Sequence, residues 1–209
     1  MRLNWILLPL ALSVAAMGAL AEDDPQRGGE IYTTCAACHG AQAEGNRSLN
    51  APRLTHLAPV YIVAQLQKFK AGARGGSGAS ESARQMAAIA ATLADDQAMY
   101  DTAAYIATLK GGVSVATVEA DPELGASYYR QFCAACHGPA AEGNPALNSP
   151  RLAGADDWYL LAQLQAFRGG SRGSHPQDRT GKQMRAMAGV LPDDAAVAAV
   201  VSYIHGLGQ

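Results

Sequence analysis

The six residues Cys35-Ala36-Ala37-Cys38-His39-Gly40 recur as Cys133-Ala134-Ala135-Cys136-His137-Gly138, and the two copies use all 4 cysteines of the chain. Cys-x-x-Cys-His is the spacing of covalent c-type haem attachment. Two thiols add across the two vinyl groups of one porphyrin, so they must stand a fixed short distance apart on one turn of backbone. The next residue then lies under the iron as the proximal ligand. The alanines between the cysteines let the backbone lie against the ring. A zinc site would need four thiol or imidazole ligands converging on one ion, and a redox dithiol would need a βαβ context that this sequence lacks. The pattern therefore implies two haem c groups, bound by Cys35 and Cys38 and by Cys133 and Cys136, with His39 and His137 as axial ligands.

The motif sits inside a longer duplication. From Cys35 to Cys133 the offset is 98, and it holds without a gap for Glu44-Gly45-Asn46, Pro52-Arg53-Leu54, Ala64-Gln65-Leu66-Gln67, Phe69, Gln85-Met86, Leu93 and Tyr105-Ile106. Such a long period marks two domains and not a solenoid. Just upstream of the cysteines the register slips: Tyr32 precedes Cys35 by three residues and Tyr129 precedes Cys133 by four, so the second half carries one extra residue there. The halves meet in a connector, Gly111 to about Glu123, of small and β-branched residues ending at Asp121-Pro122.

Each half reads as all-α. A helix leads into the haem motif and stops at Gly40 or Gly138, as glycine after a helix C-terminus predicts. A second helix starts near Pro59, or Asp156, and carries Ile62, Leu66 and Phe69, or Leu160, Leu164 and Phe167, at helical spacing. Glycine-rich loops follow over 71–80 and 169–180. A last helix opens at Asp95-Asp96 or Asp193-Asp194, where acidic residues suit the dipole. The chain is 49% hydrophobic, much of it alanine, and only 6% aromatic. A half of it has few large side chains for a core, and a porphyrin supplies the missing apolar bulk. The net charge of −2 points neither to nucleic acid nor to a basic membrane-binding surface.

The sixth iron ligand separates carriers from catalysts. Met86 and Met184 are the candidates: they match across the repeat, each lies in an irregular stretch, and a thioether favours ferrous iron. Met187 pairs with Ile89 and Met99 with Val197, so neither is repeated. His56, His175 and His205, which would make bis-histidine haems, pair with Gly154, Ser77 and Ala107. A ligating histidine usually donates its other ring N–H to a carbonyl or carboxylate. The carbonyls of Pro52 and Pro150, each 13 residues after the haem histidine, are the acceptor candidates. Arg53 and Arg151, and more weakly Arg74 and Arg172, are candidates to pair with haem propionates.

The N-terminus reads as a secretory signal over 1–21: Arg2 supplies the charge, Trp5 to Met17 the apolar run, and Ala19-Leu20-Ala21 the cleavage site. The run is short of the roughly 20 residues that span a bilayer.

Two Cys-x-x-Cys-His domains, each with a Pro-Arg-Leu loop, a Gln-Leu-x-x-Phe helix, a Gly-x-Arg turn (Gly72-Ala73-Arg74, Gly170-Ser171-Arg172) and a methionine before a Leu-x-Asp-Asp helix, resemble the dihaem cytochrome c4 family. The resemblance covers nearly all of the chain after the signal. It implies two class I cytochrome c folds, over 22–110 and 124–209, joined by the 111–123 linker. It also implies His39 with Met86 and His137 with Met184 on the two irons, and propionate edges facing a pseudo-twofold interface. The resemblance further implies a periplasmic carrier whose partners are a membrane respiratory complex, terminal oxidase or reductase, and it leaves a loose membrane association open. Two other functions are open to such a chain. One is the cytochrome subunit of a two-component dehydrogenase, for instance a sulfur-compound-oxidising one. The other is a dihaem peroxidase, which needs an open iron with acid–base residues above it, and no such constellation is visible.

Overall fold

The computed structural model describes residues 22–208. The expected signal segment, 1–21, lies outside them. Helices make up the architecture, and no strand occurs among the described residues. The first domain holds α1 (Pro25–His39), α2 (Pro59–Lys70), α3 (Glu81–Ala91) and α4 (Asp96–Thr108). Residues 109–121 carry no helix. The second domain holds α5 (Pro122–Tyr128), α6 (Ala134–His137), α7 (Asp157–Arg168), α8 (Arg179–Ala188) and α9 (Asp194–Leu207). No described helix is long and apolar enough to cross a membrane.

The starts follow local chemistry. Proline, whose missing N–H costs nothing in the first turn, opens α1, α2 and α5. Asp24, Ser80, Asp95, Asp121, Asp178 and Asp193 accept from backbone N–H groups of the turns they cap. Two of these caps correct the sequence reading. The loops end at Ser80 and Asp178, and the residues that follow form α3 and α8, so Met86 and Met184 sit on helices and not in irregular stretches. Alanine at 83, 87, 88, 90 and 91 gives α3 strong intrinsic propensity.

The extra residue of the second half has a structural form. Tyr129–Cys133 winds as one π-helical turn between α5 and α6, where the first domain has continuous α-helix. A π-turn takes up one additional residue without ending the helix. The offset is 97 above it (Tyr32 to Tyr129) and 98 below it (His39 to His137). Both tyrosines keep the same job: the Tyr32 hydroxyl donates to the Gly40 carbonyl at 2.8 Å, and the Tyr129 hydroxyl to that of Gly138 at 2.7 Å.

The first helix of each domain crosses the last helix of the same domain, α1 on α4 and α5 on α9. Glycine permits the approach. A Cβ at Gly28 would lie 1.9 Å from the Asp101 carbonyl oxygen, and one at Gly125 1.9 Å from that of Ala199. Tyr32, Ile62, Val63, Met99 and Ile106 form the first core. Tyr129, Leu160, Val197, Val200 and Ile204 form the second. Met99 is fully buried in this packing, as a core residue is.

Candidate haem centres

The first cysteine motif occupies the C-terminal end of α1; the second starts at Cys133, the last residue of the π-turn, and runs through α6. All four thiols are free; Cys35 and Cys133 are half-buried, while Cys38 and Cys136 are exposed. Burial pushes the Cys35 and Cys133 thiols up to about 11. His39 and His137 are the last helical residues and are buried, with 5% and 4% of their surface exposed. Gly40 and Gly138 turn the chain away with φ of 82° and 81°, a region that favours glycine. The carbonyls of His39 and His137 then accept from the N–H of Gly45 (2.8 Å) and Gly143 (2.7 Å).

That return loop carries the prolines. His39 Nδ1 lies 2.8 Å from the Pro52 carbonyl oxygen, and His137 Nδ1 lies 2.9 Å from that of Pro150. A carbonyl only accepts, so Nδ1 bears the proton and the Nε2 lone pair is free for a metal. Burial, opposed by the proline hydrogen bond, holds both imidazoles below the usual histidine range. They are neutral, as a ligand must be. Paired free thiols can carry the covalent links of a haem, a neutral fixed imidazole and a thioether on α3 or α8 are iron donors, and the residues fit that group. Met86 and Met184 are both half-buried, whereas Ile89 and Met187, one turn on, are exposed.

The arginines divide into two kinds. Arg74 and Arg172 form a matched pair over the domain interface. Arg74 donates to Gln65 (2.9 Å), Tyr159 (2.7 Å) and Gln163 (3.1 Å), and Arg172 donates to Gln163 (2.6 Å), Gln65 (3.2 Å) and Tyr61 (3.3 Å). Each guanidinium stacks 4.4 Å over a phenylalanine ring of its own domain, Phe69 or Phe167. Neither forms a salt bridge among the described residues. Burial and the neighbouring Arg74 push Arg172 down from the ordinary arginine range. Two crowded cations without a carboxylate make this seam attractive to anions, and haem propionates are such anions.

Arg53 and Arg151 are not a matched pair. Arg53 is buried, and its terminal nitrogens donate to the carbonyls of Gly112 in the linker and Gly154 in the second domain. Its backbone N–H donates to Asp156 Oδ2 at 2.8 Å. Among the described residues the exposed Arg151 reaches only the Ala153 carbonyl, through Nε at 3.1 Å. Sequence reasoning saw neither this nor the linker clamp. The fully buried Asp157 accepts from Thr117 Oγ1 (2.6 Å), Val118 N (2.8 Å), Trp158 N (2.6 Å) and Thr117 N.

Comparison with known proteins agrees with the geometry. A family model described as cytochrome c matches residues 25–110 and again 122–208. Cytochrome c4 of Azotobacter vinelandii is 33% identical over 220 residues, covering 98% of this chain and 100% of that one. The chain belongs to the dihaem cytochrome c4 family. Its two domains each bind one covalent haem c through Cys-x-x-Cys-His, and it is an electron carrier. Reduced recombinant cytochrome c4 from Pseudomonas stutzeri superposes with a TM-score of 0.68 at 30% identity, covering 88% of this chain and 99% of that one. Another relative is the thiosulfate dehydrogenase electron acceptor of Stutzerimonas stutzeri strain A1501. It is 36% identical over 223 residues, covering 99% of this chain and 96% of that protein. Redox proteins are therefore the partners of this c4-type chain.

Proposed function

We propose that the mature chain is a periplasmic carrier of single electrons and not an enzyme, with His39 and Met86 on one iron and His137 and Met184 on the other. The observation that carries this reading is the repeated pair of buried histidines, each with Nδ1 fixed on a proline carbonyl and each in a domain with a methionine at the matching repeat position. With these residues holding it, a bound haem would supply a one-electron couple, and the chain supplies ligand choice, burial and orientation. The domains run over 22–110 and 124–209, joined by the 111–123 linker, after a signal over 1–21 that is removed on export. The donor or acceptor is a respiratory membrane complex, terminal oxidase or reductase, met by loose association with the membrane surface.

The relative named as a thiosulfate dehydrogenase electron acceptor favours a second reading, in which the donor is a sulfur-compound-oxidising dehydrogenase. The optical spectrum of the purified protein, with carbon monoxide added to the reduced form, tests the ligand set. A methionine-to-ferric charge-transfer band and no carbon monoxide shift are expected; a shift amounting to one haem overturns it. Reduction kinetics against a thiosulfate-oxidising enzyme and against a quinol-oxidising complex separate the two donors.

A further inference from the structure

The peptide that joins Pro52 to Arg53 is bonded at both ends. Its carbonyl accepts from His39 Nδ1 at 2.8 Å, and its N–H donates to Asp156 Oδ2 at 2.8 Å. Asp156 is the N-cap residue of α7, yet its carboxylate caps nothing in its own helix. It is spent on the other domain. Hydrogen bonds in series polarise one another: a carboxylate on a peptide N–H puts more negative charge on the carbonyl oxygen, which becomes a better acceptor. A stronger bond at Nδ1 raises the basicity of the imidazole as a ligand.

The second domain has no such arrangement. The position matching Asp156 at the 98-residue offset (58 to 156) is Ala58. Ala58, Pro150 and Arg151 line one cleft between the domains, the counterpart of the place where Asp156 meets the Pro52–Arg53 peptide. Among the described residues no carboxylate reaches the Arg151 N–H.

We infer that Asp156 is a positioning residue for the first domain's haem, lowering that potential and not the other by polarising the peptide on which His39 rests. The inference builds on His39 as an iron ligand. The two haems are thereby set apart by one side chain that crosses the interface. Because the link runs between domains, any partner that loosens their docking also raises the first potential toward the second.

The test uses the full-length dihaem protein. In Asp156→Asn the charge is removed and the shape kept. Spectroelectrochemistry, with the two couples assigned by the paramagnetic shifts of their haem methyl groups, is expected to show the first-domain couple moving up and the second unmoved. The ring N–H proton of His39 is expected to move in the NMR spectrum while that of His137 stays. Ala58→Asp, an independent variant, is expected to lower the second-domain couple and to move the His137 ring proton. An unmoved first-domain couple, an equal shift of both couples, or a first-domain shift with the His39 proton unmoved overturns the inference. Failure of the axial-ligand reading itself has a different signature, carbon monoxide binding in the parent protein.

Discussion

Arg74 and Arg172 cross the domain interface in opposite directions and share the same two glutamines, each taking Gln65 and Gln163. Arg172→Met removes the cross-domain bonds to Gln65 and Tyr61 and one of the two crowded cations. The bonds are worth about 1 kcal/mol each, so docking is expected to weaken by about 1–2 kcal/mol. Calorimetry of the haem-loaded protein is the check. One unfolding transition in the parent is expected to separate into two in the variant.

The crossing glycines give a pair of opposite signs. Gly28→Ala or Gly125→Ala puts a methyl group 1.9 Å from a backbone oxygen, where no flexible side chain can yield. A loss of about 3 kcal/mol, or failure to fold, is expected. Gly206→Ala in α9 meets nothing within 4 Å and is expected to gain about 0.5 kcal/mol from helix propensity alone. Urea denaturation of both variants reads the contrast.

His56 makes the interface acid-sensitive. Burial, then the nearby Arg53 and Arg151, hold its imidazole down at about 3, against 6.5 for an ordinary histidine. The unfolded chain therefore takes up a proton that the folded chain refuses. Stability from this residue is complete above pH 6.5 and declines as the pH falls from there toward about 3. His56→Gln is expected to flatten that part of the acid limb. Equal slopes for parent and variant between those limits would count against it.

Asp157 ties the linker down. Burial pushes its carboxyl up, but the bonds from Thr117, Val118 and Trp158 outweigh that and leave it below the usual carboxylate range. Asp157→Ala leaves two linker N–H groups unpaired and is expected to cost about 2 kcal/mol. Val113 and Val115 are already 86% and 73% exposed. Limited proteolysis is expected to cut the variant near them several-fold faster than the parent, with two domain-sized products.

Met86→Ala and Met184→Ala each test one iron. Loss of a thioether is expected to lower the potential of the altered domain's haem and open that iron to carbon monoxide, leaving the other domain's couple in place. Carbon monoxide titration of the reduced variants is expected to reach one equivalent. Unchanged potentials in both variants would exclude the ligand assignment.

Much of the site was legible because its chemistry is local. The 13-residue spacing from histidine to proline is a property of one loop, and the sequence slip at Tyr129 became a π-turn in place. The helices carrying Met86 and Met184 were harder to see. Their starts are hidden behind runs of Gly72, Gly75, Gly76 and Gly78, or of Gly169, Gly170 and Gly173, that read as loop. The Asp156-Asp157 pair was legible in part. It looks like an acidic helix start, and Asp157 does begin α7. Their carboxylates, though, serve Arg53, 103 residues away, and Thr117, 40 residues away. Nothing in local pattern reports a partner at that distance.

The arginine exchange is what a symmetric dimer of one cytochrome domain would display, since an isologous interface uses every contact twice. The others are not. Lys68 reaches Asp178 at 2.6 Å and Thr180 at 2.5 Å, while the residue matching Lys68 is Ala166. Asp156 answers to Ala58 and Asp157 to Pro59. A gene encoding only one half could rebuild the symmetric contacts by self-association, but never these. Within one chain each copy can carry contacts its twin lacks, and Lys68, Asp178 and Asp156 do so at the seam.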